Sequence, residues 1–204
     1  MLIYRRNALM AGKRLPYDAE VEYLESSGTQ YIDTNTIDDP VNNIAQITFS
    51  IPTSTRATMN LFGSSGSRFN YVSARWGSNR YNLGPSSSTT PVLPISVGDI
   101  HVGTYTLINN ELTYTLDGES AVYSSSLVYD DLPLAIFYIY GRPDAVPFIG
   151  RVYGFKVIRK SDGTVIADYI PVRKGTVGYL YDRVSGKLFG NAGTGDFVLG
   201  PDKN

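Results

Sequence analysis

Apolar and polar residues alternate over many short stretches of this chain, and turn-forming residues separate the stretches. Residues 44–51 alternate until Pro52 ends the run, and residues 148–159 repeat the pattern. A period of two places successive side chains on opposite faces, which is typical of a half-buried β-strand. Short strands at this spacing predict an all-β domain, either a sandwich or a barrel.

The clearest hairpin lies in the middle of the chain. Residues 101–108 and 111–116 are its predicted strands, joined by a turn at 109–110. Asp117-Gly118 follows, a pair that favours a two-residue hairpin turn. We therefore expect the next turn at residues 117–118. A helical turn or two is expected only near residues 121–129.

Other segments predict a buried strand and several loops. Residues 134–140 are apolar throughout, which predicts a central strand buried on both faces. Residues 84–98 contain Gly, Pro and a Ser/Thr run, which predict a long loop. Residues 63–66 predict a hairpin connection, and residues 75–81 a loop.

Composition agrees with this pattern. The 204 residues suit one domain; 42% are hydrophobic, only 18% are charged, and there are 20 Gly, 11 Pro and 16 Tyr. The absence of cysteine excludes disulfides and thiolate metal sites. Charges interrupt the apolar residues at the N-terminus, and no apolar run is long enough to span a bilayer, so we expect neither a signal peptide nor a membrane segment.

Charge is distributed unevenly. The net charge is −1, which gives the whole chain no electrostatic attraction to nucleic acid. Four cations and no acid lie in the first fourteen residues: Arg5, Arg6, Lys13 and Arg14. We therefore divide the chain into a basic N-terminal arm, residues 1–16, and a mildly acidic body, residues 17–204. Such an arm either docks on an acidic surface or is a solvated terminus.

Motifs near both ends of the body carry a family resemblance. The first reads Tyr-Leu-Glu-Ser-Ser-Gly-Thr-Gln-Tyr-Ile-Asp-Thr at 23–34, and the second Ile-Gly-Arg-Val-Tyr-Gly-Phe-Lys-Val at 149–157. The third comprises residues 168–174, 178–182 and 190–197, ending in Gly-Asn-Ala-Gly-Thr-Gly-Asp-Phe. Over residues 17–202 the chain resembles laminin-G-like jelly-roll proteins of bacteriophages and of prophage regions in gut bacteria.

The resemblance implies a two-sheet antiparallel sandwich of the concanavalin A-like kind, in a virion or at a cell surface. It implies no particular reaction, because the fold serves lectins, fibre parts, capsid decorations and glucanases. Laminin-G-like domains often join their first and last strands, so we expect the end motifs to pack together. Positive-φ turns are expected at Gly28, Gly190, Gly193 and Gly195, and large buried areas at Tyr31, Tyr169 and Phe197.

Catalytic candidates are few. His101 is the single histidine, and we interpret it as a strand histidine with a satisfied hydrogen bond rather than a member of a triad. Glu20, Glu22 and Glu25 approximate the carboxylate spacing of jelly-roll glucanases. On a regular strand Glu25 would face away from the other two, so we expect no catalytic residues and no enzyme.

A metal site is also weakly indicated. Asp33, Asp38 and Asp39 lie near Asn35, and oxygen ligands of this kind can hold calcium. The spacing matches no EF-hand loop, so we expect a solvated acidic loop, without metal or cofactor.

Aromatic and arginine residues are the candidate ligand-binding set, because sugar sites and protein interfaces both use them. Trp76 could equally cap the edge of the core. The candidates are Arg75, Trp76, Arg80, Tyr81, Tyr138, Tyr140 and Arg142.

The leading hypothesis is a non-enzymatic phage virion protein, a head decoration or fibre module docked by its arm onto other virion proteins. Homo-oligomers, such as a trimer, are expected. The alternative is a glycan-binding adhesion or receptor-binding module for host or mucosal glycans. A glycoside hydrolase is the third alternative.

Overall fold

The computed structural model describes residues 15–65, 69–77, 80–84, 93–109, 111–123, 132–142 and 145–203. Within these ranges the chain forms seventeen β-strands and no α-helix. The strands are β1 (Ala19–Glu20), β2 (Leu24–Ser27), β3 (Ile32–Ile37), β4 (Asn43–Ser50), β5 (Met59–Ser65), β6 (Phe69–Gly77), β7 (Arg80–Gly84), β8 (Leu93–Ile95), β9 (Ile100–Ile108), β10 (Glu111–Leu116), β11 (Glu119–Tyr123), β12 (Pro133–Ile136), β13 (Ile149–Arg159), β14 (Val165–Lys174), β15 (Val177–Asp182), β16 (Lys187–Phe189) and β17 (Val198–Leu199).

Two antiparallel sheets face each other. The larger has the order β11-β10-β9-β4-β13-β14-β15-β16, with β1 beside β14 and with β2 between β13 and β17. The smaller has the order β3-β12-β5-β6-β7-β8. The predicted all-β, two-sheet jelly-roll sandwich is therefore confirmed. In the part of the chain that the structure describes, no helix has the length and apolarity needed to cross a membrane.

The core fills the space between the sheets with side chains of alternate residues. On β4 the inner face is Ala45, Ile47 and Phe49, all buried, as the alternation in the sequence predicts. Aromatic rings bridge the layers: the centroid of Phe62 lies 5.0 Å from that of Phe155, edge to face. Each such ring contributes roughly 1.5–3 kcal/mol by leaving water.

The central hairpin forms as predicted and continues into a third strand. Asp117 and Gly118 have φ of 51° and 93°, the left-handed pair that a type I′ turn requires. The helical turn expected at 121–129 is wrong for its first residues, because 121–123 belong to β11 and pair with β10. The rest of that segment lies outside the described residues.

The two ends of the body meet in the larger sheet. Strand β2 pairs with β13 on one side and with β17 on the other, where Glu25 is opposite Val198. Gly178 contributes a close approach, because a Cβ there would lie 2.7 Å from methyl carbons of Leu24 and Leu199. The expectation that the end motifs pack together is confirmed.

Several local predictions need correction. Of the loop expected at 75–81, residues 75–77 belong to β6 and residues 80–81 to β7, and the two strands pair with each other. Strand β8 lies within the loop expected at 84–98. The turn expected at 63–66 is wrong for residues 63–65, which belong to β5, and residue 66 lies outside the described residues. Gly28 and Gly195 have positive φ as expected, whereas Gly190 and Gly193 do not.

The basic residues of the proposed arm, at positions 5, 6, 13 and 14, lie outside the described residues. The division at residue 16 and the docking role of the arm remain predictions.

Candidate functional site

The loop after β12 places two tyrosines at one surface. The strand expected over 134–140 ends at Ile136, because Phe137 takes a left-handed conformation with φ 68°. This conformation is costly for a bulky residue and reverses the course of the chain. Phe137 stays fully buried, whereas Tyr138 and Tyr140 are half-buried on either side of buried Ile139. Because β12 ends at Ile136, the two tyrosines lie at the surface and are not buried in a central strand.

Backbone hydrogen bonds hold this loop against β5. The N–H of Tyr140 donates to the carbonyl of Gly63 at 3.1 Å, and the N–H of Ser65 donates to the carbonyl of Tyr140 at 2.8 Å. The hydroxyl of Tyr138 donates to the carbonyl of Arg142 at 2.6 Å and closes the turn. Gly141 has φ 76° and lies against the carbonyl of Ser65, where a Cβ would clash at 2.6 Å.

A third tyrosine comes from the first end motif. The ring of Tyr31 lies against that of Tyr138, with centroids 4.7 Å apart and planes tilted by 31°. Its backbone is held by the last motif: the N–H of Tyr31 donates to Oδ1 of Asn191 at 3.1 Å, and the N–H of Ala192 donates to the Tyr31 carbonyl at 2.8 Å. The packing of the end motifs therefore also positions Tyr31 beside Tyr138.

The resulting groove has a volume of about 450 Å³ and is lined by Tyr31, Asp33, Tyr138, Tyr140, Gly141 and Arg142. Asp33 projects from β3 opposite Ala135 of β12. Burial raises the pKa of the Asp33 carboxyl. We call this cleft the tyrosine groove.

The tyrosine groove combines aromatic faces with one acidic and one basic side chain. Aromatic rings contact the C–H faces of a sugar, and a carboxylate and a guanidinium supply directional hydrogen bonds to hydroxyls. Tyr138, Tyr140 and Arg142 were predicted as a ligand-binding set, and the structure brings them together. Tyr31 and Asp33 were not predicted as ligand contacts, because the motif that contains them has an evident structural role.

The other predicted candidates lie elsewhere. Trp76 is half-buried and packs against the core near the far end of β6. It lies six residues along β6 from Asn70, which pairs with Ser64 beside Tyr140. At about 3.3 Å per residue the separation is roughly 20 Å. The backbones of Arg75, Arg80 and Tyr81 lie in this hairpin, but their side chains lie outside the described part of the structure; a ligand role for this cluster remains a prediction.

The carboxylates considered for hydrolysis have different surroundings. Oε2 of Glu25 accepts a hydrogen bond from Nε of Arg151 at 2.7 Å, and the same guanidinium lies 4.3 Å from the ring centroid of Tyr23. Glu20 is half-buried beside Tyr17, and Glu22 is exposed. Glu25 is therefore held as one half of an ion pair on β2.

The aspartates considered as calcium ligands also differ in their surroundings. Among the described residues no three acidic or histidine side chains are arranged to hold a metal. Asp38, expected in a solvated loop, is only 2% exposed and accepts a hydrogen bond from Oγ of Ser64 at 2.8 Å. Burial raises its pKa to about 7, and the adjacent Asp39 adds to the effect. The expectation of a fully solvated loop is therefore wrong at Asp38.

His101 has both ring nitrogens engaged. Nδ1 lies 2.6 Å from Oδ2 of Asp117, and Nε2 lies 3.0 Å from the carbonyl of Ser96. A carbonyl only accepts, so Nε2 carries a proton. His101 is 5% exposed. The interpretation as a strand histidine with satisfied hydrogen bonds is confirmed.

Comparisons with known proteins reveal likeness of fold. No family model matches the sequence, and no curated protein matches it. A Bacteroides ovatus protein described as a "putative carbohydrate binding protein" has a TM-score of 0.60 at 11% identity, over 88% of this chain and 60% of that one. A heptameric SAP-like pentraxin from Limulus polyphemus has a TM-score of 0.40 at 10% identity, over 72% of each chain.

These identities show a shared fold and nothing finer, and the pentraxin is too distant to support any argument. The chain spans 60% of the length of the Bacteroides protein. Neither of the two is a phage protein.

Proposed function

We propose that this protein is a carbohydrate-binding module and that the tyrosine groove is its saccharide site. The observation that carries the proposal is the contact of Tyr31 and Tyr138, two tilted rings at 4.7 Å, beside Asp33 and Arg142 in one open groove. Aromatic platforms with a few polar groups at their edge are a typical means of holding a ring of C–H and O–H groups.

Both walls of the groove are held in place by contacts within the protein, which favours binding. The Phe137 reversal and the Tyr138–Arg142 hydrogen bond order one wall, and Asn191 orders the other. A site ordered before the ligand arrives loses less conformational entropy on binding. The groove is therefore suited to binding a ligand through a moderate contact area.

The fold is consistent with this proposal. The Bacteroides protein whose description refers to carbohydrate binding has the same sandwich architecture. Fold alone does not decide function, so the proposal rests on the groove and uses the shared fold as support. In this proposal the module binds without hydrolysis, in keeping with the pairing of Glu25 with Arg151. The virion role, the docking arm and homo-oligomer formation remain predictions.

A glycan array followed by titration calorimetry tests the proposal. Tyr31→Ala and Tyr138→Ala should each weaken binding of the array hit by roughly 10-fold, about 1.4 kcal/mol. Tyr31→Phe keeps the ring and should retain most of the affinity. Trp76→Phe tests the other predicted cluster, at the far end of β6: it should leave binding unchanged if the tyrosine groove is the saccharide site. The proposal fails if the wild-type protein binds nothing on a broad array, or if both alanine variants bind as the wild type does.

A further inference from the structure

A second cleft opens at the edge of the sandwich, where β3 of the smaller sheet faces β14, β15 and β16 of the larger. Its volume is about 400 Å³. Asn35 and Thr36 form one wall, Lys187 and Phe189 form the opposite one, and Asn43 of β4 contributes to the lining. We call it the edge cleft.

Asn43 is the unusual residue of the edge cleft. It is 8% exposed and precedes Ala45 and Ile47 on the inner face of β4. Its backbone N–H and carbonyl are bonded to Asp39 and Thr106. Its side-chain amide, however, has no hydrogen-bond partner within the described ranges of the chain. The amide atoms are not closed off from the cleft, so they are available to a polar group of a ligand in place of water.

The remaining lining offers hydroxyls and an aromatic face. Oγ1 of Thr36 and the hydroxyl of Tyr169 lie 2.7 Å apart and form a hydrogen-bonded pair. The ring of Phe189 is half-buried and meets Tyr169 edge to face, with centroids 5.4 Å apart. Amide, hydroxyl and aromatic groups together match a compact ligand that carries both C–H and O–H groups.

The charged side chains of the edge cleft indicate which class of ligand it can bind. The carboxylate of Asp39 accepts hydrogen bonds from the backbone and side chain of Asn42. That of Asp182 accepts from three backbone N–H groups, at residues 168, 184 and 185. Both acids are therefore already satisfied, and with Lys187 they leave the lining at a formal −1. An anion is disfavoured there, and the acids do not converge on an empty cation position.

The edge cleft also adjoins the tyrosine groove. Asp33 lines the groove and Asn35 lines the edge cleft, and they lie two residues apart on β3. Side chains at that spacing project from the same face of a strand, about 7 Å apart. The two clefts therefore share β3 as a common wall.

We infer that the edge cleft is a second subsite for a neutral sugar unit, so that the protein binds an oligosaccharide lying along β3. The inference rests on the proposed function for its ligand class, and on the amide of Asn43, which is open to the cleft, for its place. Uronic and sialic acid units are expected to bind worse in this cleft than neutral units.

The test uses neutral linear gluco-, manno- and xylo-oligosaccharides of increasing length, followed by two-dimensional amide NMR. The short sugars should shift the amides of Gly141 and Arg142, and the longer ones should also shift those of Thr36, Asn43 and Lys187. Affinity should rise several-fold with length. Asn43→Leu should abolish this gain and leave the affinity for short sugars unchanged.

A structural role of Asn43 is separated from a binding role by thermal stability. Because the amide lacks a partner, Asn43→Leu should melt no lower than the wild type. Thr34→Val is the matched control: Oγ1 of Thr34 donates to the carbonyl of Leu134 at 2.7 Å, and its loss should lower the melting temperature. The inference is overturned if no oligosaccharide shifts the edge-cleft amides. If the groove amides still respond, the proposed function survives; if the edge-cleft amides alone respond, the groove assignment fails and the second site stands.

Discussion

Oδ1 of Asn191 accepts hydrogen bonds from two backbone N–H groups, that of Tyr31 at 3.1 Å and that of Gly193 at 2.9 Å. Nδ2 of the same side chain donates to the carbonyl of Gly195 at 2.7 Å. One amide near the end of the body thus shapes its own loop and fixes an aromatic wall near the beginning.

Asn191→Ala should weaken saccharide binding several-fold, because the backbone of Tyr31 loses its anchor. It should also lower the free energy of unfolding by about 1 kcal/mol, since two half-buried backbone donors lose their acceptor. Calorimetry and urea unfolding measure the two effects. Asn191→Asp keeps the acceptor oxygen and should retain more affinity than the alanine variant. Unchanged binding by Asn191→Ala would show that Tyr31 is held by other contacts.

Gly193→Ala should be more damaging than its size implies. A Cβ at Gly193 would overlap the carbonyl oxygen of Thr29 and reach the ring of Tyr31. Overpacking of this kind costs roughly 1–3 kcal/mol, and here it displaces the binding wall as well. Gly154→Ala is the control, because its Cβ would lie at an ordinary 3.5 Å from the carbonyl of Tyr169. Equal melting temperatures for the two variants would contradict the close approach.

Asp38 should make stability depend on pH in the direction opposite to a paired carboxylate. Burial raises its pKa from 3.8 to about 7, so the folded chain holds a proton that the unfolded chain releases. Stability is therefore highest below about pH 4, falls as pH rises towards 7, and then levels off, with an upper limit of roughly 4 kcal/mol.

Asp38→Asn should flatten this part of the curve and stabilise the fold at pH 8, as followed by urea unfolding from pH 4 to pH 8. Ser64→Ala removes the hydroxyl that donates to the carboxylate and so raises the pKa of Asp38 further, which should extend the fall to higher pH. The contribution of Asp38 is the free energy of unfolding of the wild type minus that of Asp38→Asn. If this difference rises between pH 4 and pH 7, the buried acid is ruled out.

Asp117 should make the protein more stable as pH rises, as is usual for a carboxylate with hydrogen-bond donors. Burial alone would raise its pKa, but hydrogen bonds from His101 and from the N–H of Val102 outweigh burial and lower it. Its stabilising effect is thus present above the unfolded pKa and is lost as pH falls through the folded one.

Asp117→Asn should therefore destabilise the protein at neutral pH and converge with the wild type in acid, as measured by thermal melting between pH 2 and pH 7. A constant difference in melting temperature across that range would indicate a turn-propensity effect instead.

The sequence predicted the parts of the fold that local patterns govern. The 101–116 hairpin and the Asp117-Gly118 turn follow from alternation and turn chemistry. The candidate site was only half predictable. Tyr138 and Tyr140 were identified, but the left-handed Phe137 that turns them outward is stabilised by tertiary contacts with Leu61 and Phe148. Tyr31 joins them through the β3–β12 pairing, in which Ile32 is opposite Ile136, and Asn191 fixes its backbone. Both contacts join residues far apart in the sequence, a proximity that alternation in the chain does not encode.

The β2–β17 pairing has a consequence for synthesis of the protein. During translation the N-terminal motif must wait for nearly the whole body before its partner strand and Asn191 leave the ribosome. Pairing across so long a stretch is slow and comes late in folding. A chain interrupted before residue 191 lacks the side chain that anchors the backbone of Tyr31, so we expect the tyrosine groove to reach its final form only after the last motif has been synthesised.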